Sequence, residues 1–263
     1  MPQPRVLVLR APGTNCDVET AYAFEQAGAK ADRLHVNRIL ESPGKLADYQ
    51  VVCLPGGFSY GDDLAAGRIL GTQLKHHLFE PLRDFQQAGK LILGICNGFQ
   101  ILMRSGLLLP DEVGANGKQS PATLMLNDSG RYEARWVKLE VAGSPSPFFA
   151  GLQQLELPVA HAEGRFVPRD ETVLQQLRTN KQIVLRYVDG ANGNAHPARY
   201  PANPNGAVDD IAGICDITGR VCGLMPHPER FIDPMQHPQW TRRPSASEGA
   251  GLAIFKNAVR YFS

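Results

Sequence analysis

Residues 91–102, Leu91-Ile92-Leu93-Gly94-Ile95-Cys96-Asn97-Gly98-Phe99-Gln100-Ile101-Leu102, constrain the fold more than any other stretch. The first part is continuously apolar apart from one glycine and predicts a short strand buried on both faces. The second part predicts the start of a helix. Cys96 falls at the joint, between Gly94 and Gly98, where side chains would collide in so sharp a turn. A thiol on a strand-to-helix turn stands at the carboxyl end of a sheet. It also lies beside free helix N–H groups, which favour a thiolate. Two readings are open on this stretch alone: a nucleophile, or a small buried hydrophobe, which is what most free cysteines are.

The rest of the chain supplies the sheet that such a turn needs. Arg5 to Leu9 predicts a first strand, ending in the polar turn Pro12-Gly13-Thr14-Asn15-Cys16-Asp17. A helix over 18–27 follows, with Gly28 as its stop. Val51 to Leu54 predicts a strand that runs into Pro55-Gly56-Gly57-Phe58-Ser59-Tyr60-Gly61. Leu74, Leu78, Leu82 and Phe85 share a helical spacing up to Gly89. Strands alternating with helices argue for an α/β protein with a mostly parallel sheet and helices on both faces. After Gly106 the pattern changes: 136–141, 155–160 and 183–188 read as strands, and 211–215 with 221–225 as a hairpin. Residues 252–262 close the chain as a helix. The segments 190–210 and 234–250 are irregular and rich in turn formers, and a loop as long as the first is usually functional or mobile.

Composition excludes several classes. The chain has 263 residues, 27 basic and 26 acidic, and no basic run, so nucleic acid is not an implied partner. Its length is read as a single domain over 1–263. The five cysteines, at 16, 53, 96, 215 and 222, include no CxxC pair, which argues against a disulfide scaffold or a cysteine-rich zinc site. No apolar run is long enough to span a membrane, and free thiols fit a reducing cytosol, so a cytoplasmic protein is expected.

A thiol nucleophile needs a base and an oxyanion site. Among seven histidines, His227 is framed unusually, as Met225-Pro226-His227-Pro228-Glu229-Arg230. Pro228 pushes His227 towards an extended conformation, in which residues two apart share a face, so Glu229 can orient the imidazole. The alternative is a surface proline turn with a solvated histidine. Gly57 or Phe58 and Asn97, the residue after the cysteine, offer backbone N–H groups for an oxyanion. The first strand–helix turn lacks the GxGxxG spacing, and there is no Walker lysine pattern. His76 and His77 read as a solvated helix face. His161, in His161-Ala162-Glu163-Gly164-Arg165-Phe166, is either a pocket wall or a structural polar residue. His196 and His237 have no carboxylate or second histidine at ligand spacing, and no metal site is expected.

Taken together, Gly94-Ile95-Cys96-Asn97-Gly98-Phe99-Gln100 and Pro226-His227-Pro228-Glu229-Arg230 resemble the class I, or triad, glutamine amidotransferases. The stretches at 12–17, 55–62, 161–166 and Asn203-Pro204-Asn205-Gly206 look more closely like the glutaminase part of phosphoribosylformylglycinamidine synthases. The resemblance spans nearly the whole chain. It implies a flavodoxin-like sheet with additional antiparallel strands. It implies Cys96 as nucleophile, His227 as base and acid, Glu229 as its orienting group, and the N–H groups of Gly57 and Asn97 as oxyanion donors. Phe58, Ser59, Tyr60, Gln100, His161 and Arg165 would be substrate-side residues. The implied chemistry is glutamine hydrolysis through a glutamyl thioester, with ammonia passed to an ATP-dependent step of purine biosynthesis.

The chain shows no ATP motif of its own. The resemblance therefore implies a large synthetase partner that holds ATP and magnesium, and a small bridging subunit. Cys16, a second thiol in a polar turn, competes as nucleophile; the strand–turn–helix setting favours Cys96. The 14–17 turn and the 190–210 loop are candidates to face the partner or the ammonia route. The Asp63-Leu64-Ala65-Ala66-Gly67 stretch, where relatives often carry a bulkier aromatic, bears on local partner contacts, and 234–250 matches the longer variety of relatives. A thiol peptidase or glyoxalase-like enzyme would place a histidine soon after the cysteine, and 97–102 contain none. A regulator without turnover would be expected to lack one member of the Cys96, His227 and Glu229 set.

Overall fold

Strand positions with no polar alternation fold here as the buried centre of one sheet. In the computed structural model, which describes residues 3–114, 117–190, 196–243 and 246–263, β1 (Arg5–Arg10) leads through α1 (Asp17–Gln26) to β2 (Lys30–His35) and the short α2 (Val36–Leu40). Next come β3 (Val51–Leu54), α3 (Arg68–Gln73), α4 (Phe79–Gln87), β4 (Leu91–Ile95) and α5 (Asn97–Ser105). The second half carries β5 (Glu112–Gly114), β6 (Gly117–Gln119), β7 (Ala122–Met125), β8 (Glu133–Val141), β9 (Gln154–His161) and β10 (Arg165–Pro168). Then follow α6 (Glu171–Thr179), β11 (Ile183–Tyr187), β12 (Ile211–Cys215), β13 (Val221–Leu224) and α7 (Leu252–Arg260).

Nine strands form the main sheet in the order β2-β1-β3-β4-β13-β12-β11-β8-β9. The first five are mutually parallel and the rest antiparallel. The parallel part has the flavodoxin order, with β13 in the fifth place, so the expected mostly parallel sheet with added antiparallel strands is what forms. Because β4 lies at the centre, its carboxyl end opens where β3, β4 and β13 all finish. Ligands of such sheets bind there.

The sequence pattern places a helix through Leu74, Leu78, Leu82 and Phe85. The chain instead runs α3, a wide helical turn over Leu74–Leu78, and α4, with all four side chains still buried. The elements β2, α2, α6 and the short strands β5, β6, β7 and β10 escape the pattern. β2 is an edge strand of mixed charge, Lys-Ala-Asp-Arg-Leu-His, with no fully buried position, so it carries no hydrophobic signature. α7 packs against α1 through Phe255, edge to face with Phe24 at 4.9 Å between ring centres. Burying one such ring contributes about 2 kcal/mol. Part of the 190–210 loop, residues 191–195, and residues 244–245 of the 234–250 segment lie outside the described residues.

Candidate active site

The turn from β4 into α5 is made by a residue in an unusual conformation. Cys96 has φ 50° and ψ −104°, a region that a non-glycine residue occupies at a cost of about 1–3 kcal/mol. The surrounding glycines make it possible. A Cβ on Gly98 would stand 1.8 Å from the Leu54 carbonyl oxygen, and one on Gly94 would stand 2.6 Å from the Gly98 oxygen. The backbone of α5 therefore presses directly on β3 and β4. The strained turn is held by the Cys96 N–H, which donates to Leu224 O on β13 at 2.8 Å. The thiol points towards β9, with Ala160 O at 3.7 Å.

His227 follows β13, three residues past its end. Its N–H donates to Pro158 O of β9 at 2.8 Å. Its Nδ1 donates to Glu229 Oε1 at 2.6 Å, with both side chains almost fully buried. The sequence reading had both residues on one face of an extended segment. His227 has φ −106° and ψ 88°, short of a fully extended backbone, and a 3-10 turn starts at Pro228 that swings Glu229 back onto the imidazole. The pairing holds for a different backbone reason. Burial alone lowers the His227 pKa, but the Glu229 carboxylate, and after it Cys96 and Cys16, outweigh burial and leave it well above the ordinary histidine value. An imidazole held by a carboxylate on one side and facing a cysteine sulfur on the other can keep the thiol's proton as an imidazolium, which is the pairing that activates a sulfur nucleophile.

The glycine turn after β3 closes the site. A Cβ on Gly56 would meet His227 Cε1 at 2.8 Å, so the ring lies over that glycine. Gly57 has φ +141° and bridges to Thr14 of the 12–17 turn. Of the two oxyanion donors considered on the glycine turn, Phe58 N–H already donates to Gly13 O at 3.0 Å. Asn97 opens α5, where backbone N–H groups lack intrahelical acceptors. Its side chain accepts from Ser59 N–H at 3.1 Å, tying the glycine turn to the elbow.

The remaining expected site residues fall into two groups. Ser59 is buried here with its hydroxyl unpartnered among the described residues, Phe58 is exposed, and Tyr60 donates through its hydroxyl to Gln73 at 3.0 Å. Gln100 has both ends of its amide engaged: Oε1 accepts from Asn97 at 3.0 Å and Nε2 donates to Glu163 O at 2.5 Å. It thus clamps the 161–166 turn onto α5. Arg165 forms an ion pair with Asp128. His161 lies at the end of β9, buried, with Nδ1 3.1 Å from Asn127 Oδ1.

Cys16 is not in an open polar turn. It is fully buried, accepts from Arg230 Nη2 at 3.1 Å, and its N–H donates to Gly56 O at 3.2 Å. Cys16, His227 and Glu229 bring ligand-type atoms within 4.8 Å of one another. The Arg230 guanidinium against that sulfur opposes a cation there. Burial pushes the Cys16 thiol up, against a hydrogen bond from His227, and burial also pushes up Cys53, Cys222 and Cys215, the last to about 11. His76 and His77 are exposed, as the helix-face reading expected. His196 and His237, read as lacking carboxylate neighbours in sequence, find them in space: Asp210 at 2.8 Å and Glu140 at 3.4 Å for His196, Glu156 at 3.6 Å for His237.

Sequence reasoning missed two supporting residues, Asn127 and the buttress formed by Asn205. Asn205 Nδ2 donates to Gly164 O at 2.8 Å and to the Tyr187 hydroxyl at 3.2 Å. The 203–210 part of the long loop therefore turns inward to support the 161–166 turn. Asn205 stood in a noted motif, but Asn127 sits in an ordinary polar turn and gave no signal.

The pattern that defines the CobB/CobQ-like glutamine amidotransferase domain matches residues 3–262. The chain belongs to this glutamine amidotransferase family. It is 44% identical to the phosphoribosylformylglycinamidine synthase subunit PurQ of Methanococcus maripaludis, over 99% of this chain and 98% of that protein. It is 45% identical to the PurQ subunit of Dehalococcoides mccartyi, again over 99% and 98%. The structure of PurLQS from Thermotoga maritima contains a chain that superimposes with a TM-score of 0.74 at 31% identity, covering all of both chains. Among the described residues no helix is long and apolar enough to cross a membrane.

Proposed function

We infer that this amidotransferase is the glutaminase subunit of a phosphoribosylformylglycinamidine synthase. It releases ammonia from glutamine for the ATP-dependent conversion of formylglycinamide ribonucleotide to its amidine in purine biosynthesis. The observation that carries the reading is the strained Cys96 elbow set against the buried His227–Glu229 pair. Cys96 attacks the side-chain amide carbon. The Gly57 and Asn97 N–H groups stabilise the oxyanion. His227 carries the proton given up by the Cys96 thiol and delivers it to the departing nitrogen, while Glu229 holds its Nδ1–H. Water, activated by the same imidazole, then hydrolyses the glutamyl thioester.

This route asks for no cofactor in this chain; ATP and magnesium belong to the large synthetase partner, and a small bridging subunit completes the complex in the cytoplasm. Cys96, His227 and Glu229 are 5%, 2% and 1% exposed, so glutamine gains access only when the surrounding turns part. That closure accords with low glutaminase activity in the isolated subunit. The test is glutamine hydrolysis by wild type and Cys96→Ala, with and without the synthetase, its substrate nucleotide and ATP. Wild type should form glutamate and amidine efficiently only in the complex. Cys96→Ala should lose synthesis from glutamine and keep it from added ammonia. Wild-type glutamine hydrolysis by Cys96→Ala would refute Cys96 as the nucleophile.

A further inference from the structure

The hydrogen bonds around Asn127 determine the protonation of His161. Asn127 Nδ2 donates to two backbone carbonyls, Arg131 O and His161 O, each at 2.8 Å. The opposite amide orientation would set an oxygen against both. Asn127 Oδ1 is therefore an acceptor, and it already takes the Gly164 N–H at 3.1 Å. His161 Nδ1, 3.1 Å from the same oxygen, must be the donor. In a neutral ring the proton is then on Nδ1, and Nε2 presents a bare lone pair. Burial, and next the charge on His227, push the His161 pKa down to about 3, so the ring is neutral at working pH. Nε2 is buried and has no hydrogen-bond partner among the described residues, in a side chain only 3% exposed.

Such an acceptor is costly to leave unmatched, by about 1–3 kcal/mol. Its position says what would match it. His161 ends β9, the strand whose Pro158 O holds the His227 backbone and whose Ala160 O faces the Cys96 thiol. The turn that follows is clamped to α5 through Gln100 and Glu163. His227 Nε2 is likewise buried and, with Nδ1 taken by Glu229, is the ring nitrogen left to face the Cys16 and Cys96 sulfurs. The site thus holds one ring nitrogen able to donate and one able only to accept.

Resting on the glutaminase reading above, we propose that His161 Nε2 accepts a hydrogen bond from the side-chain –NH2 of glutamine and then from the ammonia it becomes, making His161 a substrate-positioning residue that selects an amide. As Cys96 Sγ bonds to the carbonyl carbon and the C–N bond breaks, the proton that completes ammonia comes from His227. His161 accepts a hydrogen bond and takes no proton, so the nitrogen leaves as neutral NH3, the form that can act as a nucleophile. A glutamate carboxylate, having no N–H, would set oxygen lone pairs against Nε2, which favours release of the acid product.

The test compares glutamine with the γ-methyl ester of glutamate, which has the same carbonyl but no N–H, using the complete synthase complex carrying wild-type or His161→Phe subunit. The expected result is a fall of about 30-fold in kcat/KM for glutamine and a change below about 3-fold for the ester, so that the amide-to-ester ratio collapses. An equal fall for both substrates would assign His161 a structural role and overturn the proposal, as would no fall for either. If wild type turns over neither substrate, the glutaminase reading itself fails and takes the proposal with it. A second measurement needs no variant: 15N spectra of histidine-labelled wild-type complex should show His161 in the neutral Nδ1–H tautomer from pH 5 to 8. The Nε2–H tautomer or a doubly protonated ring there would overturn the proposal.

Discussion

A histidine locked in its neutral form leaves a thermodynamic trace, and its size follows from the structure. The His161 pKa is about 3 in the folded chain against 6.5 for an unperturbed histidine, because burial, and then the His227 charge, penalise the imidazolium. The folded pKa is the lower of the two, so on acidification the unfolded chain takes up this proton first. The contribution is complete above about pH 6.5 and is lost progressively as pH falls towards 3. Between pH 7 and pH 5 the loss is about 2 kcal/mol, and over the whole window about 5 kcal/mol. Urea unfolding followed by tryptophan fluorescence, at pH 7 and pH 5, on wild type and His161→Gln measures it. Packing lost in the variant is the same at both pH values and cancels in the difference. Wild type should lose about 2 kcal/mol more than His161→Gln on acidification, since glutamine has no proton to bind there. A difference below about 0.5 kcal/mol would show that His161 is not held neutral, and the tautomer reasoning built on Asn127 would fall with it.

Glu229→Gln keeps the shape but replaces the carboxylate that holds His227 Nδ1–H; kcat/KM for glutamine in the complex should fall by about 10³-fold with little change in Tm. Gly98→Ala places a methyl group 1.8 Å from the Leu54 carbonyl oxygen, and thermal unfolding should show a loss of about 3 kcal/mol or more, roughly 6–12 °C in Tm. Cys16→Ser preserves a group that can accept from Arg230 and should retain glutamine hydrolysis within about 5-fold, whereas Cys96→Ser should abolish it. A chloroketone analogue of glutamine should alkylate Cys96 first, and peptide mapping that finds the label on Cys16 would reverse the assignment.

The centre of the fold was legible because its strands are buried on both faces and written in unbroken apolar runs. Val51–Leu54 and Leu91–Ile95 are examples, and the turn glycines beside them mark where backbones touch. Cys96 could be singled out for that reason: Gly94 and Gly98 stand where a Cβ would run into neighbouring backbone. β2 was not legible, since an edge strand open to water needs no apolar alternation. The reason for the His227–Glu229 pairing was not legible either, because spacing alone does not reveal that a 3-10 turn brings the carboxylate round. His196 and His237 show the general limit. Their carboxylate neighbours lie 14 or more positions away in sequence, and only the sheet order brings them together.

Two thiols flank one imidazole, and the difference between them is made by backbone geometry more than by residue type. Cys16 heads α1 at a negative φ of −98°, its N–H on Gly56 O and its sulfur tied to Arg230, which also reaches Glu19 one turn into the same helix. Every one of these bonds fixes the thiol in place, and burial holds its proton on. Cys96 is held by its backbone, through Leu224 O and the glycine contacts, while its side chain faces His227 and makes a long contact to Ala160 O. A nucleophile must move towards carbon, and only the second arrangement leaves sulfur free to do so. Cys16 then serves as a strut: it joins the glycine turn, the His227 loop and the start of α1, so that displacing any one of these segments would shift the imidazole relative to Cys96.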